Sequence, residues 1–246
     1  MVEFKIDARS LREFADIVVS LNQEAKIDFT NKGLSTKIID PAHIAMVLLE
    51  IDKDTFQDFK VEDEESIGID IERLRNAMKL ASSTDIINFK ADGKRISIKY
   101  GNLSYNIPII DPSSISTPKM LNLEIPNKII TDFNLVLTGI KAAENFADVV
   151  TFHMKNDELK ILAKGESDLE NAELSIPKSL AKEYVFSEEA KSSYSLDYLS
   201  NFVRSLESVT DISIMLKTDY PLKIEAPVFN GKGKVTFILA PRIESI

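Results

Sequence analysis

Apolar residues at spacings of three and four mark the first periodic segment. Between residues 8 and 21, Leu11, Phe14, Ala15, Val18 and Leu21 share one face, which predicts an amphipathic helix. The period then falls to two. Alternating runs at 25–30, 33–40 and 42–51 predict three strands, the first two joined by a turn at Asn31-Lys32-Gly33. The same succession of a helix and three strands returns with helices near 71–81, 133–145 and 196–206. Their strands are expected at 85–91, 94–101 and 104–110, then 148–155, 158–165 and 171–176, and last 211–217, 222–226 and 234–240. Short strands at 2–6, 66–70, 128–131 and 192–195 lead into the helices.

Four β-α-β-β-β units therefore form two halves that align in detail. Phe29 and Phe152 are 123 residues apart, and Thr84-Asp85-Ile86 returns as Thr210-Asp211-Ile212 at 126. The helix face Leu74, Ala77, Met78 and Ala81 falls on Leu199, Phe202, Val203 and Leu206 at 125. A duplicated α+β chain follows, with domains at 1–110 and 127–246. Between them, 111–126 holds Pro112, Pro118 and Pro126 among Ser113, Ser114, Ser116 and Thr117, a composition that continues neither helix nor central strand. This is the linker. Its second part carries Met120, Leu121, Leu123 and Ile125, whereas a free tether would be polar, so part of it is expected to lie against protein.

Charge and chemistry narrow the function. With 30 Lys and Arg against 39 Asp and Glu in 246 residues, the net charge of −9 excludes a broadly basic binder. No apolar run approaches the roughly 20 residues of a bilayer span. The alternating N-terminus Met1-Val2-Glu3-Phe4-Lys5-Ile6-Asp7 does not open like a signal peptide, so a cytoplasmic location without a membrane partner is expected. The absence of Cys removes disulfides, thiolate nucleophiles and Cys zinc sites. Of the two histidines, His153 lies between Phe152 and Met154 and faces the side opposite to them. Gly231-Lys232-Gly233-Lys234 lacks a third glycine and precedes a strand, so it reads as a hairpin turn rather than a phosphate loop. Asp52, Asp54, Asp58 and Asp63 resemble a calcium loop only superficially, because Gln57 stands where the sharp turn needs Gly. The run Glu62-Asp63-Glu64-Glu65 reads as a solvated loop. No catalytic residue, metal site or cofactor is expected, and a binding or scaffolding role is. Over 9–21, 71–81, 133–145 and 197–207, seven bases face six acids, so the helices sum to +1 and the remainder to −10.

Several motifs now carry a likeness. The C-terminal Leu239-Ala240-Pro241-Arg242-Ile243-Glu244, the stretch Ile39-Asp40-Pro41-Ala42-His43-Ile44, Thr84-Asp85-Ile86, Ser193-Tyr194, Tyr198-Leu199 and Asp219-Tyr220-Pro221-Leu222 run in order along the whole chain. Together they resemble proliferating cell nuclear antigen, the sliding DNA clamp, in its archaeal form. The resemblance implies the DNA clamp fold: antiparallel sheets outside, helices inside, and three subunits closed head to tail around duplex DNA. It implies a homotrimer, with a heterotrimer subunit or a non-replicative scaffold as the alternative. The partners it implies are a clamp loader, and DNA polymerase, flap endonuclease and DNA ligase acting in replication and repair.

By matching positions, Arg12, Arg73, Arg75, Lys79, Lys141 and Arg204 are the implied DNA-facing residues, with Glu13, Asn76 and Thr138 standing where cations often occur. The subunit interface is implied at Ser104, Tyr105, Asn106, Ile107, Pro108, Ile109 and Ile110 against Asn171, Ala172, Glu173, Leu174, Ser175 and Ile176. A pocket for a Q-x-x-[ILM]-x-x-aromatic-aromatic peptide is implied at Ile39, His43 and Ile44, at Leu123, Ile125 and Pro126, and at Pro221, Ile238, Ala240, Pro241 and Ile243. Three buried anchors at about 1.5–3 kcal/mol each, less ordering costs, give roughly micromolar binding.

Overall fold

The computed structural model describes residues 1–119, 121–167 and 169–243. The first half runs β1 (Val2–Asp7), α1 (Ala8–Val19), β2 (Glu24–Thr30), β3 (Gly33–Ile39), β4 (Ala45–Asp52), β5 (Asp58–Val61), β6 (Glu65–Asp70), α2 (Ile71–Ala77), β7 (Ile86–Ala91), β8 (Arg95–Tyr100) and β9 (Leu103–Pro108). The second half repeats it element for element: β10 (Asn127–Asp132), α3 (Phe133–Ala143), β11 (Val149–Met154), β12 (Glu158–Lys164), β13 (Asn171–Pro177), β14 (Glu183–Val185), β15 (Ala190–Ser195), α4 (Leu196–Arg204), β16 (Asp211–Leu216), β17 (Leu222–Val228) and β18 (Gly233–Leu239). The expected helices and strands are all present. Two strands were not expected, β5 and β14, and they stand at equivalent places in the repeat.

Three helices start on an aspartate that closes the preceding strand. The carboxylates of Asp7, Asp70 and Asp132 accept from the N–H of Ser10 at 2.8 Å, Arg73 at 3.0 Å and Asn134 at 2.7 Å. Each satisfies a donor that the first helical turn leaves unpaired. The α2 helix ends at Ala77, short of the expected Ala81.

The chain divides into two compact units. The first comprises Met1–Lys119 with Ser205–Glu207 and Val228–Val235, and the second takes the rest of the described chain. In the first, one antiparallel sheet has the order β5-β1-β7-β8-β9, and β6-β2-β3-β4 continues to the start of β18 (residues 233–235). Lys232 fixes that returning segment: its carbonyl accepts from Asp52 N–H at 2.8 Å, and its ammonium donates to the Asp54 carbonyl at 2.8 Å. Gly33, at φ +143, has no room for a side chain, since a Cβ there would lie 2.0 Å from the Ile51 carbonyl. In the second unit the orders are β13-β12-β11-β15 and β14-β10-β16-β17.

Alternation in sequence becomes alternation in burial. Phe4, Phe29 and Phe89 fill the first core, with the Phe4 and Phe89 rings stacked at 4.4 Å. In the second, Phe202 stacks on Phe237 at 4.2 Å, and Phe152 meets Tyr194 edge-on. Burying such a ring contributes about 1.5–3 kcal/mol. His153 faces away from buried Phe152 and Met154, as expected, and bonds Glu189 at 2.6 Å.

Candidate functional site

The helix face comes first. In the first unit, Arg12, Asp16, Glu72, Arg75, Asn76 and Lys79 line an open cleft of about 460 Å³. The guanidinium of Arg12 donates to the carbonyls of Met78, at 3.1 Å, and Ala81, so it closes the end of α2. Arg75 Nε lies 3.1 Å from Asp16 Oδ1, joining α2 to α1, and Arg73 Nε lies 3.0 Å from Asp70 Oδ2. In the second unit Arg204 forks onto Glu144, with Nε to Oε1 at 3.0 Å, and the Ser200 hydroxyl donates to the same carboxylate. The hydrogen bond from Arg204 holds the Glu144 carboxyl below its ordinary range, and Glu144 in turn raises Arg204. Burial pushes Asp16 up, opposed by the Arg75 charge. Four of the six implied DNA-facing cations thus have partners inside their own unit. The side chains of Lys79 and Lys141 make no hydrogen bond or ion pair among the described residues, although Lys141 lies within the field of Glu144. Glu13 is buried at 2 % exposure, and Thr138 bonds the Asn134 carbonyl at 2.7 Å.

The loop at 40–45 is built by one residue that the implied pocket omits. Asp40, 2 % exposed, accepts from the N–H groups of Ala42 at 2.9 Å, Ile44 at 2.6 Å and Ala45 at 2.6 Å. Its carboxylate holds His43 at φ +59 and turns Ile44 outward to 39 % exposure. Its place in the motif is the signal that marks it. Asn22 Nδ2 donates to the Ile39 carbonyl at 3.2 Å, and Ile39 is half-buried.

The other implied pocket residues belong to the second unit. Leu123, Ile125, Pro221, Ala240 and Pro241 are half-buried, Pro126 and Ile243 are exposed, and Ile238 is buried at 4 % exposure. Arg242 N–H donates to the Ser193 carbonyl at 2.7 Å and pins the tail beside β15. Tyr194 donates to the Tyr220 carbonyl at 2.8 Å, and burial raises the Tyr194 hydroxyl. Just before the linker, Ile110 N–H bonds the Gly68 carbonyl at 2.9 Å, and within it the Ile115 side chain lies against Gly68. Met120 of the linker and Glu244 of the terminal motif lie outside the described residues.

The third feature is a pair of open edges. Among the described residues, β9 pairs with β8 alone and β13 with β12 alone. Ser104, Tyr105, Asn106 and Pro108 are exposed on β9, while Asn171, Glu173 and Ser175 are exposed on β13; Ile107 and Ile176 face the cores. The strand expected to reach Ile110 ends at Pro108, because the N–H groups of Ile109 and Ile110 turn to the carbonyls of Lys94 and Gly68.

Among the described residues no group of His, Asp and Glu is arranged to hold a metal, and no helix is long and apolar enough to cross a membrane. Residues 1–111 match the family model for the proliferating cell nuclear antigen, N-terminal domain. Over the whole chain, the DNA polymerase sliding clamp of Thermoplasma acidophilum is 32% identical, covering 99% of this chain and 100% of the relative. That of Archaeoglobus fulgidus is 33% identical, with 100% of both covered. The solved structure of the A. fulgidus clamp bound to the C-terminal region of FEN-1 superposes with a TM-score of 0.93 at 32% identity, covering 100% of both chains. A chain of the PCNA2-PCNA3 complex from Sulfolobus tokodaii gives 0.86 at 25% identity, covering 98% of this chain and 100% of that one.

Proposed function

The chain belongs to the proliferating cell nuclear antigen family of DNA polymerase sliding clamps, non-enzymatic processivity factors, and from that premise we propose that three copies close head to tail into a homotrimeric ring around duplex DNA. The observation that carries this reading is the pair of open edges. Matching the halves element for element, β4 corresponds to β13 and β18 to β9. Inside the first unit, β4 already has the start of β18 beside it. A second copy can supply β13 with the equivalent neighbour, β9, and so pair both of these edges. A heterologous contact of that kind closes into a ring when its rotation divides the circle.

Within such a ring the helix faces meet the DNA, and encirclement replaces tight contact, which reconciles a subunit of −9 with a polyanion. The residues implied for peptide binding are apolar apart from His43, and most are exposed or half-buried. Partners carrying a Q-x-x-[ILM]-x-x-aromatic-aromatic peptide, namely polymerase, flap endonuclease and ligase, dock there, a reading supported by the A. fulgidus clamp having the C-terminal region of FEN-1 bound to it. A clamp loader opens the ring. The likeness to a chain of the PCNA2-PCNA3 complex supports a second reading, membership of a heterotrimer.

Polymerase stimulation tests the function. With a family polymerase and loader, this chain alone should lengthen products on primed circular DNA, and Ile44→Asp should abolish the gain while leaving assembly intact. No stimulation by the single chain, restored by a sister clamp, would favour the heterotrimer instead.

A further inference from the structure

Each unit ties an arginine of its second helix to an acid within or capping its first, and the two ties use different positions. At the 125-residue offset that superposes the helices, Asp16 corresponds to Lys141, Arg75 to Ser200, Lys79 to Arg204 and Val19 to Glu144. A pair inherited through duplication would occupy equivalent positions. Instead, Asp16 with Arg75 and Glu144 with Arg204 reach the same arrangement from unrelated residues. We propose that Asp16 and Glu144 are grip-limiting residues, which cancel the two arginines on the DNA-facing surface so that Lys79 and Lys141 make the main phosphate contacts. This rests on the reading that the helix faces meet DNA.

The physics favours cancellation even if an arginine lets go. A guanidinium that leaves Asp16 for a phosphate leaves a half-buried carboxylate unpaired beside a polyanion, so the gain of one contact is offset by a repulsion. Glu144 is held more firmly, because Arg204 meets both its oxygens and Ser200 donates a further bond. The outcome is a surface with many cations and little net charge. Such a surface suits a ring that must move along DNA without pausing, since each phosphate contact adds counterion release to the binding free energy.

The test is duplex binding by the assembled protein, followed by fluorescence anisotropy over a range of salt. Asp16→Asn and Glu144→Gln should each steepen the slope of log K against log salt by about 0.9 for every phosphate newly engaged, or about threefold in affinity over an about fourfold change of salt. The paired variant Asp16→Asn with Arg75→Gln should return to the wild-type slope. Lys79→Ala and Lys141→Ala should make it shallower. If the lysine variants weaken binding while the acid variants leave the slope unchanged, the acids are only ties between helices and the proposal is overturned. If the lysine variants also leave binding unchanged, the helix faces do not meet DNA and the reading beneath it falls. A purely structural tie would lower the melting temperature without moving the slope, so both are recorded. The two pairs lie in separate units, so a folding defect from one substitution leaves the other test standing.

Discussion

At the residue scale, Asp40 shows how a single buried carboxylate shapes a surface that it does not itself present. Three backbone N–H groups converge on it, and the conformation they impose carries Ile44 to the outside. Asp40→Ala should cost about 2–3 kcal/mol, because donors paired to a charged acceptor are left unsatisfied. Urea denaturation checks the stability, and titration with a Q-x-x-[ILM]-x-x-aromatic-aromatic peptide should show affinity falling with it. Acidity gives a second prediction. Glu144 is depressed, so its contribution is present above the unfolded carboxyl's range and lost as pH falls through its folded pKa. Asp16 is raised, so relative to an ordinary aspartate it favours the fold most at low pH, and that advantage fades as pH rises through its folded pKa. Carboxyl-detected NMR should place Asp16 above the ordinary aspartate value and Glu144 below the ordinary glutamate value; either midpoint on the other side would contradict the geometry. The six cations were named from the sequence by matching positions in the resemblance. Their partners were not, because a pair such as Asp16 with Arg75 joins two helices separated by five strands and depends on how those helices pack.

Periodicity made the elements readable wherever a segment was long enough to show it. All four helices and the strands between them follow from spacings of three and four or of two, whereas β5 and β14, with four and three residues, are too short to alternate visibly. The α2 helix stops early for a tertiary reason: the guanidinium of Arg12, from α1, donates to the carbonyls of Met78 and Ala81 beyond its end. The linker shows a similar limit. Its second part is the apolar one, but it is at its start that Ile115, and Ile110 just before it, approach β6 at Gly68. A Cβ at Gly68 would lie 2.4 Å from the Ile110 carbonyl, so Gly68→Ala should release the linker's start and cost about 1–3 kcal/mol. Hydrogen exchange checks it: the amide of Ile110 should lose protection, and unchanged protection would mean that the segment is held by something else.

For the whole molecule, the duplication is the strongest feature of the sequence, and it also gives the assembly its logic. Two halves of the same plan place two open edges, β9 and β13, at positions whose counterparts β18 and β4 are already neighbours in the first unit. The net charge of −9 fits the same picture, since an encircling ring needs few cations and three of the six implied ones are held in ion pairs. The measurement that bears most directly on this account is the mass of the purified chain in solution by light scattering. A homotrimer predicts three times 27.6 kDa, stable on dilution through the micromolar range. A mass of 27.6 kDa that rises only when a sister clamp is added would contradict the homotrimer.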